Sequence, residues 1–183
     1  IRFRVPAGAF FQVNPDVAEL VVKSVADAFA ASGAALFVDA YCGVGLFALA
    51  LAGRAKKCFG VESAPDAVRA ARQTAAEHGI RNADFLGAPA ERALDDLWPH
   101  CRAQETAVFL DPPRSGCSSR VLQSVCSFRP ARIMYLSCVP PVLARDAALL
   151  AKAGYRLEAA TPFDMFPQTG HCEALAVFAP RET

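Results

Sequence analysis

A regular alternation between short apolar runs and longer amphipathic segments constrains the fold of this chain more than any other feature. In the longer segments apolar residues recur at helical spacing, whereas the short runs are apolar almost throughout, as buried strands are. Strands that alternate with helices predict a parallel sheet with helices on both faces and right-handed crossovers. The predicted strands are residues 35–41, 57–62, 83–87, 107–113, 132–138, 155–163 and 173–179. The predicted helices are residues 15–32, 46–53, 65–79, 89–98, 118–128 and 140–154.

The end of the chain breaks this alternation, because the last two predicted strands have no helix between them. We therefore expect a hairpin whose last strand runs antiparallel. The predicted fold is a doubly wound α/β domain with a mostly parallel, seven-stranded sheet and an antiparallel last strand. Hydrophobic residues make up 54% of the 183, which is enough for one core, and we expect one domain over residues 1–183. Because the chain opens at Ile1 in strand-like sequence, we expect it to be the C-terminal part of a longer protein.

The composition excludes several classes of protein. The formal charge of +1 gives no global attraction to nucleic acid or to a membrane, so an RNA partner would need a local patch. Seven cysteines form no CxxC pair, and the three histidines lack metal-ligand spacing, so we predict neither a disulfide framework nor a metal site. We expect a reducing, cytoplasmic location and no membrane span, because no apolar run reaches about 18 residues.

A glycine loop follows the first predicted strand of the parallel sheet, at the edge where α/β folds bind nucleotides. Gly43 and Gly45 allow a ligand to approach the backbone, although glycines in such turns can also serve packing alone. Glu62 ends the next strand, where a carboxylate can accept hydrogen bonds from ribose hydroxyls. Asp39 suits the cationic amino-acid end of S-adenosylmethionine better than the pyrophosphate of NAD, which it would repel. S-adenosyl-L-methionine is therefore the predicted cofactor, and an NAD-dependent oxidoreductase is the alternative.

Two further strand ends carry charged or reactive residues. Asp111 follows the fourth strand, and the two prolines after it stiffen the loop and hold the carboxylate at the sheet edge. Arg114 stands next, where a related loop carries an aromatic residue, and we expect it to contact the substrate. Cys138 ends the fifth strand directly before a predicted helix, whose N-terminus favours a thiolate. We interpret the other six cysteines as structural residues and Cys138 as a nucleophile.

Six segments, in this order and spacing, resemble the catalytic domain of the RNA uracil-5-methyltransferases. They are FFQVN, DAYCGVGLFALALA, GVE, DPPRSG, YLSCVPPVLARD and DMFPQTGHCEALAVF, and they extend over nearly the whole chain. The thiol segment and the final FPQTGHCE are far more specific than any glycine loop. The resemblance implies a Rossmann-like class I methyltransferase fold, and we expect a monomeric catalytic domain. It also implies methyl transfer from S-adenosylmethionine to carbon 5 of a uridine in ribosomal or transfer RNA.

The resemblance assigns roles to particular residues. Cys138 would add to carbon 6 of the uracil, which makes carbon 5 nucleophilic enough to attack the methyl group. Glu173 would then remove the proton from carbon 5 so that the thiol can leave. Together with the glycine loop, the predicted cofactor-binding residues are Gln12, Asp39, Tyr41, Gly43, Gly45, Glu62 and Asp111, and the predicted substrate-binding residues are Arg114 and Gln12.

Three positions depart from the family pattern. Val139 replaces the usual Asn after the nucleophile, and Leu46 replaces an Asn after the second loop glycine. Pro89 falls where a polar contact to the cofactor is common. Each change removes a polar group. A catalytically weakened, RNA-binding relative of these enzymes is therefore a second hypothesis, which the retained Cys138 and Glu173 oppose.

Overall fold

The structure, a computed structural model that describes residues 1–181, is a seven-stranded sheet between two layers of helices. The strands are β1 (Leu36–Ala40), β2 (Lys57–Glu62), β3 (Ala83–Gly87), β4 (Thr106–Leu110), β5 (Arg132–Ser137), β6 (Tyr155–Phe163) and β7 (Glu173–Pro180). The helices are α1 (Pro15–Ala31), α2 (Leu46–Leu51), α3 (Pro65–Glu77), α4 (Ala90–Leu97), α5 (Ser119–Phe128) and α6 (Pro140–Lys152).

The strands follow the order β3-β2-β1-β4-β5-β7-β6 across the sheet. Neighbours among β1 to β5 pair in parallel, whereas β7 pairs antiparallel with both β5 and β6. The predicted doubly wound fold with an antiparallel last strand is therefore confirmed. The position of β7 between β5 and β6 was not predicted, because a hairpin signal does not say which of its two strands joins the parallel sheet.

Four helices begin at the predicted residue, and α4 and α5 begin one residue later than predicted. Pro15 opens α1, and the Asn14 side chain accepts a hydrogen bond from the Val17 amide (3.3 Å), as an N-cap does. The Ser118 hydroxyl caps α5 in the same way by accepting from the Val121 amide (3.3 Å). None of the helices that the structure describes is both long and apolar enough to cross a membrane.

Three helices cover each face of the sheet. The helices α1, α2 and α3 pack on one face, together with Phe37 of β1 and Phe109 of β4. The helices α4, α5 and α6 pack on the other face with Val38 and Val108, the sequence neighbours of those two residues. Successive side chains of a strand point to opposite faces of the sheet. Because helices cover both faces, both sets of side chains in the central strands are buried, and these strands are apolar almost throughout.

The chain before α1 forms neither helix nor strand and lies against α3 on its way to the carboxyl edge of the sheet. We call residues 1–13 the N-terminal strap. Arg4 anchors the strap, because its Nε donates a hydrogen bond to Glu77 Oε1 at the end of α3 (2.6 Å). As a result Phe10 and Gln12, near the end of the strap, reach the carboxyl edge of the sheet.

Candidate active site

A cavity of about 650 Å³ opens at the carboxyl edge of the sheet, beside the N-terminal strap. Eight of the ten predicted site residues line it, namely Gln12, Tyr41, Gly43, Glu62, Asp111, Arg114, Cys138 and Glu173. The other two, Asp39 and Gly45, are not part of its lining. The parallel strands thus deliver residues from distant parts of the chain to one site, as open α/β sheets do.

The glycine loop between β1 and α2 places three residues in the left-handed region: Tyr41 (φ 69°), Gly43 (φ 53°) and Gly45 (φ 86°). A side chain at Gly43 would meet open space, so its absence leaves room in the cavity for a ligand. At Gly45 a Cβ would lie 2.9 Å from the Phe85 ring, so this glycine permits the loop to pack closely on β3. The two glycines therefore serve different purposes.

Glu62 ends β2 with both carboxylate oxygens held by the surrounding loops. Oε2 accepts a hydrogen bond from the Gly43 amide (3.0 Å), and Oε1 accepts one from the Ala64 amide (2.7 Å). The Ser63 hydroxyl also donates to Oε1 (3.3 Å). Because a carboxylate has about four acceptor positions, one remains for a ribose hydroxyl. The acceptor is therefore oriented before a ligand arrives.

Asp39 is fully buried beneath the glycine loop. Its Oδ2 accepts a hydrogen bond from the Ala48 amide of α2 (3.0 Å), whereas its Oδ1 has no partner among the residues that the structure describes. Burial raises the pKa of this carboxyl well above its usual value, although the Ala48 amide acts in the opposite direction. Asp39 thus joins β1 to α2, and the cofactor contacts of Asp39 and Gly45 stay predictions.

Asp111 follows β4 and borders the cavity beside the strap. Gln12 Nε2 donates a long hydrogen bond to Asp111 Oδ2 (3.5 Å). Burial, and to a smaller extent the charge of Glu173, raises the pKa of Asp111 to about 8. At neutral pH this carboxyl is therefore largely protonated, and it can donate a hydrogen bond as well as accept one.

The antiparallel strand brings Cys138 and Glu173 together. Ser137 of β5 pairs with Ala174 of β7, so the next residues outward, Cys138 and Glu173, take adjacent positions at the ends of the two strands. A β7 that ran parallel to β5 would have placed Glu173 at the opposite edge of the sheet. Glu173 is 7% exposed, and burial raises the pKa of its carboxyl to about 7. A thiol and a carboxyl that titrates near neutrality therefore share one cavity.

Helix α6 begins at Pro140, two residues after Cys138, so strand, thiol and helix follow in the predicted order. Strand β5 ends at Ser137, one residue earlier than predicted. The Ser137 hydroxyl accepts a hydrogen bond from the Val139 amide (3.1 Å) and donates one to the Val139 carbonyl (3.3 Å). Pro140 and Pro141 have no amide hydrogen, so they fix the backbone of this turn without adding donors.

The cavity lining also includes five residues that the sequence analysis did not assign to the site: Phe10, Ser63, Pro112, Pro113 and Phe166. Phe10 is 69% exposed on the strap. Phe166, in the loop between β6 and β7, packs edge-to-face on His171 with ring centroids 6.2 Å apart. Phe166 is half-buried, and aromatic rings that line a cavity are suited to stacking on flat ligands. Both rings belong to segments that carried the family resemblance, which is the signal that could have identified them.

Solved structures with this fold include methyltransferases. The tRNA (uracil-54, C5)-methyltransferase of Pyrococcus abyssi, solved with S-adenosyl-L-homocysteine, has a TM-score of 0.81 at 29% identity, over 97% of this chain and 42% of that one. An rRNA methylase from Streptococcus thermophilus shares the fold with a TM-score of 0.66 at 17% identity, over 87% of this chain and 95% of that one. The chain therefore has the fold of S-adenosylmethionine-dependent methyltransferases.

Sequence comparisons identify the family within this class. Residues 1–181 match the family model of the tRNA (uracil-5-)-methyltransferases, and the chain belongs to this family. An uncharacterized RNA methyltransferase from Bacillus cereus is 37% identical over 96% of this chain, and one from Enterococcus faecalis is 38% identical over 97%. The chain spans 38% of the length of each of these two relatives.

Family membership decides between the two predicted nucleotides. S-adenosyl-L-methionine is the cofactor of this family, and the Pyrococcus abyssi relative was solved with the corresponding S-adenosyl-L-homocysteine. The predicted cofactor is confirmed, and the NAD alternative receives no support. RNA as the class of substrate agrees with the family and with the relatives.

Proposed function

We propose that this chain is a catalytic domain that transfers a methyl group from S-adenosylmethionine to carbon 5 of a uridine in ribosomal or transfer RNA. The observation that carries the proposal is that Cys138 and Glu173 flank the last pair of β5 and β7, Ser137 and Ala174, and line the cavity that also contains Glu62 and Asp111. A thiol nucleophile and a carboxylate base beside a nucleotide-binding edge are the groups that this reaction requires.

The β1–β2 side of the cavity fits the cofactor. Glu62 has an acceptor position left for a ribose hydroxyl, and Gly43 leaves open space beside it. The side chains of Gln12, Tyr41 and Asp111 border the same space and would hold the rest of the cofactor. When bound, S-adenosylmethionine supplies an electrophilic methyl group.

Cys138 makes the uracil reactive. Carbon 5 of a uracil is a poor nucleophile, and addition of the thiolate sulfur to carbon 6 converts the ring into an enolate with nucleophilic carbon 5. Asp111, whose pKa is about 8, can donate a hydrogen bond to the carbonyl oxygen at carbon 4, on which the negative charge of the enolate develops. The two groups act on the ring from the ends of neighbouring strands β4 and β5.

Glu173 completes the reaction. After methylation carbon 5 still carries its proton, and the bond to Cys138 cannot break until a base removes that proton. A carboxyl with a pKa of about 7 is a stronger base than an ordinary glutamate, yet it is deprotonated in about half of the molecules at neutral pH. Burial, which raises this pKa, also limits the access of bulk water to the adduct.

The substrate uridine must leave its stack to reach Cys138. This costs a few kcal/mol in a duplex and less in a loop or bulge. Phe10 and Phe166 offer aromatic surfaces at the cavity on which an unstacked base can pack. We therefore expect a looped or bulged uridine as the target. Transfer RNA is the first substrate to test, because the Pyrococcus abyssi relative is a tRNA (uracil-54, C5)-methyltransferase.

Replacing Cys138 with Ala tests the proposal. Methylation of RNA from a strain that lacks the gene, mapped by nucleotide mass spectrometry, should fall to the detection limit, because among the described residues no second thiol lines the cavity. Affinity for S-adenosylhomocysteine, measured by calorimetry, should stay within about twofold, because Cys138 lies on the other side of the cavity from Glu62. Cys172→Ala is the matched control, since this part-buried cysteine lies outside the cavity lining and should keep the wild-type rate. Normal methylation by Cys138→Ala would end the proposal.

A non-catalytic RNA-binding role is the second candidate, and the environment of two helix caps favours it. Val139 and Pro89 occupy the N-cap positions of α6 and α4, and neither makes a capping hydrogen bond through its side chain. The polar groups lost at these positions are thus not replaced locally. On this hypothesis the wild-type protein would bind S-adenosylhomocysteine and RNA but methylate no RNA, and Cys138→Ala would change neither affinity.

A further inference from the structure

A buried network joins the loop after β4 to helix α6. Asp146 of α6 is fully buried, and its Oδ2 accepts hydrogen bonds from the Cys117 amide (3.0 Å) and the Tyr135 hydroxyl (2.6 Å). Its Oδ1 accepts a hydrogen bond from Arg145 Nε (2.8 Å). Arg145 also donates through Nη2 to the Ser115 carbonyl (2.9 Å). Two backbone groups of the loop and one side chain of β5 are thus tied to one helix.

Gly116 shows how closely the loop lies against α6. Its φ is +83°, and a Cβ at this position would lie 2.5 Å from Arg145 Nη2 and 2.7 Å from Asp146 Oδ2. A glycine is therefore required for this approach, both for its backbone conformation and for its lack of a side chain. The loop is fitted to the network and does not merely pass over the helix.

Both partners of the network carry residues of the candidate active site. The loop begins with Asp111 and contains Arg114, and both line the cavity. Helix α6 begins two residues after Cys138, and Asp146 lies about two helical turns further on. The network therefore holds the loop that carries Arg114 at a fixed position relative to the helix that follows Cys138.

We propose that Asp146 is a positioning residue, which anchors the loop from Asp111 to Cys117 on α6 so that Arg114 faces the uridine attacked by Cys138. The inference rests on the proposed function. Asp146 does not line the cavity, so it acts through the loop. The prolines after Asp111 stiffen the loop at its start, and the network fixes its end.

Tyr135 is the most selective point at which to weaken the network. Burial raises the pKa of its hydroxyl well above the usual value, so the hydroxyl keeps its proton and remains a donor to Asp146. Tyr135→Phe removes this donor and leaves the ring that packs in the core. Asp146→Asn keeps the shape of the side chain and removes the negative charge that binds Arg145.

The experiment separates positioning from cofactor binding in the full-length protein. The first readout is the rate of covalent adduct formation with S-adenosylmethionine and RNA that contains 5-fluorouridine. After methylation carbon 5 carries fluorine in place of the removable proton, so the adduct persists. The second is the affinity for S-adenosylhomocysteine. Because a misplacement of about 1 Å can cost about 100-fold in rate, we expect Asp146→Asn to slow adduct formation about 10- to 100-fold. Tyr135→Phe should slow it about 3- to 10-fold, and affinity should stay within about twofold in both variants.

Tyr155 offers a matched control. It is fully buried in the same hydrophobic cluster as Tyr135, and its hydroxyl donates to the Pro130 carbonyl (3.0 Å). This contact lies at the amino edge of the sheet, away from the cavity. Tyr155→Phe should lower the melting temperature as much as Tyr135→Phe does, but it should leave the rate of adduct formation unchanged.

Two results would overturn the inference alone. One is equal slowing by Tyr155→Phe and Tyr135→Phe, which would mean that the network acts only through stability. The other is a wild-type rate of adduct formation in Tyr135→Phe and in Asp146→Asn; if Asp146→Asn does not fold, the Tyr135→Phe rate alone decides. Absence of any adduct with the wild-type protein would overturn the proposed function, and the inference with it.

Discussion

The two sides of the cavity obtain their chemistry from different kinds of contact. On the β1–β2 side, backbone amides of Gly43 and Ala64 orient the Glu62 carboxylate. On the β5–β7 side, strand pairing places Glu173 beside Cys138, and burial raises the pKa of Glu173 to about 7. A fixed acceptor suits the binding of a ligand, whereas a desolvated carboxyl suits proton transfer.

This difference predicts that mutations on the two sides of the cavity affect different kinetic properties. Changes on the β5–β7 side should slow the chemical step and leave cofactor affinity almost unchanged. Changes on the β1–β2 side should weaken cofactor binding and leave the chemical step intact once the cofactor saturates the enzyme. Three experiments test this separation.

Replacing Glu173 with Gln should have the largest effect. Glutamine has nearly the same size but cannot accept a proton, so in the proposed mechanism the adduct on Cys138 has no exit. Turnover should fall about 10²- to 10⁴-fold, while a protein–RNA adduct that survives denaturation accumulates. Denaturing electrophoresis with labelled RNA measures the adduct, and peptide mass spectrometry should locate it on Cys138.

The same variant also tests the preference for looped RNA, which should be trapped before paired RNA of the same sequence. Glu19→Gln, at an exposed carboxylate on α1, is the control and should turn over normally. Near wild-type turnover of Glu173→Gln without an adduct would show that Glu173 is structural. In that case the β5–β7 side would lose its assigned role.

The pH dependence of the chemical step gives the next largest effect. In the proposed mechanism Glu173 must be deprotonated to act as the base, and burial raises its pKa to about 7. The single-turnover rate should therefore rise about tenfold per pH unit below this pKa and level off above it. A decline above the pKa of Asp111, which is about 8, would indicate that protonated Asp111 takes part. A flat profile across neutral pH would contradict the role of Glu173.

The two loop glycines should give the smallest effect, and on the other side of the cavity. Replacing either glycine with alanine should destabilise the fold by about 1–2 kcal/mol, because the backbone at both positions is in the left-handed region. Gly43→Ala also places a methyl group in the open space of the cavity and should weaken S-adenosylhomocysteine binding about threefold to tenfold in calorimetry. Gly45→Ala meets the Phe85 ring instead, so it should lower the melting temperature more and the affinity less. Equal affinities in the two variants would contradict the division of roles between the glycines.

The sequence by itself determined the secondary structure and the residues at the strand ends. Asn14 and Pro15 locate the start of α1 because capping is a local contact, and the periodicity of apolar residues separates helices from strands. Gly43 and Glu62 were assigned to the site for a similar reason. Gly43 lies in the loop after β1 and Glu62 ends β2, the two strands of one βαβ unit, and such a unit has one usual handedness.

Only the tertiary structure decided which strand ends meet and what covers them. Cys138 and Glu173 are adjacent because β7 inserts antiparallel between β5 and β6, and Phe10 reaches the cavity because the strap lies against α3. The burial of Asp39 beneath the loop and the fit of Gly116 against α6 also depend on contacts between distant segments of the chain. Strand order and close packing depend on apolar surface buried between segments far apart in the chain, and a local sequence pattern does not record which segments pair.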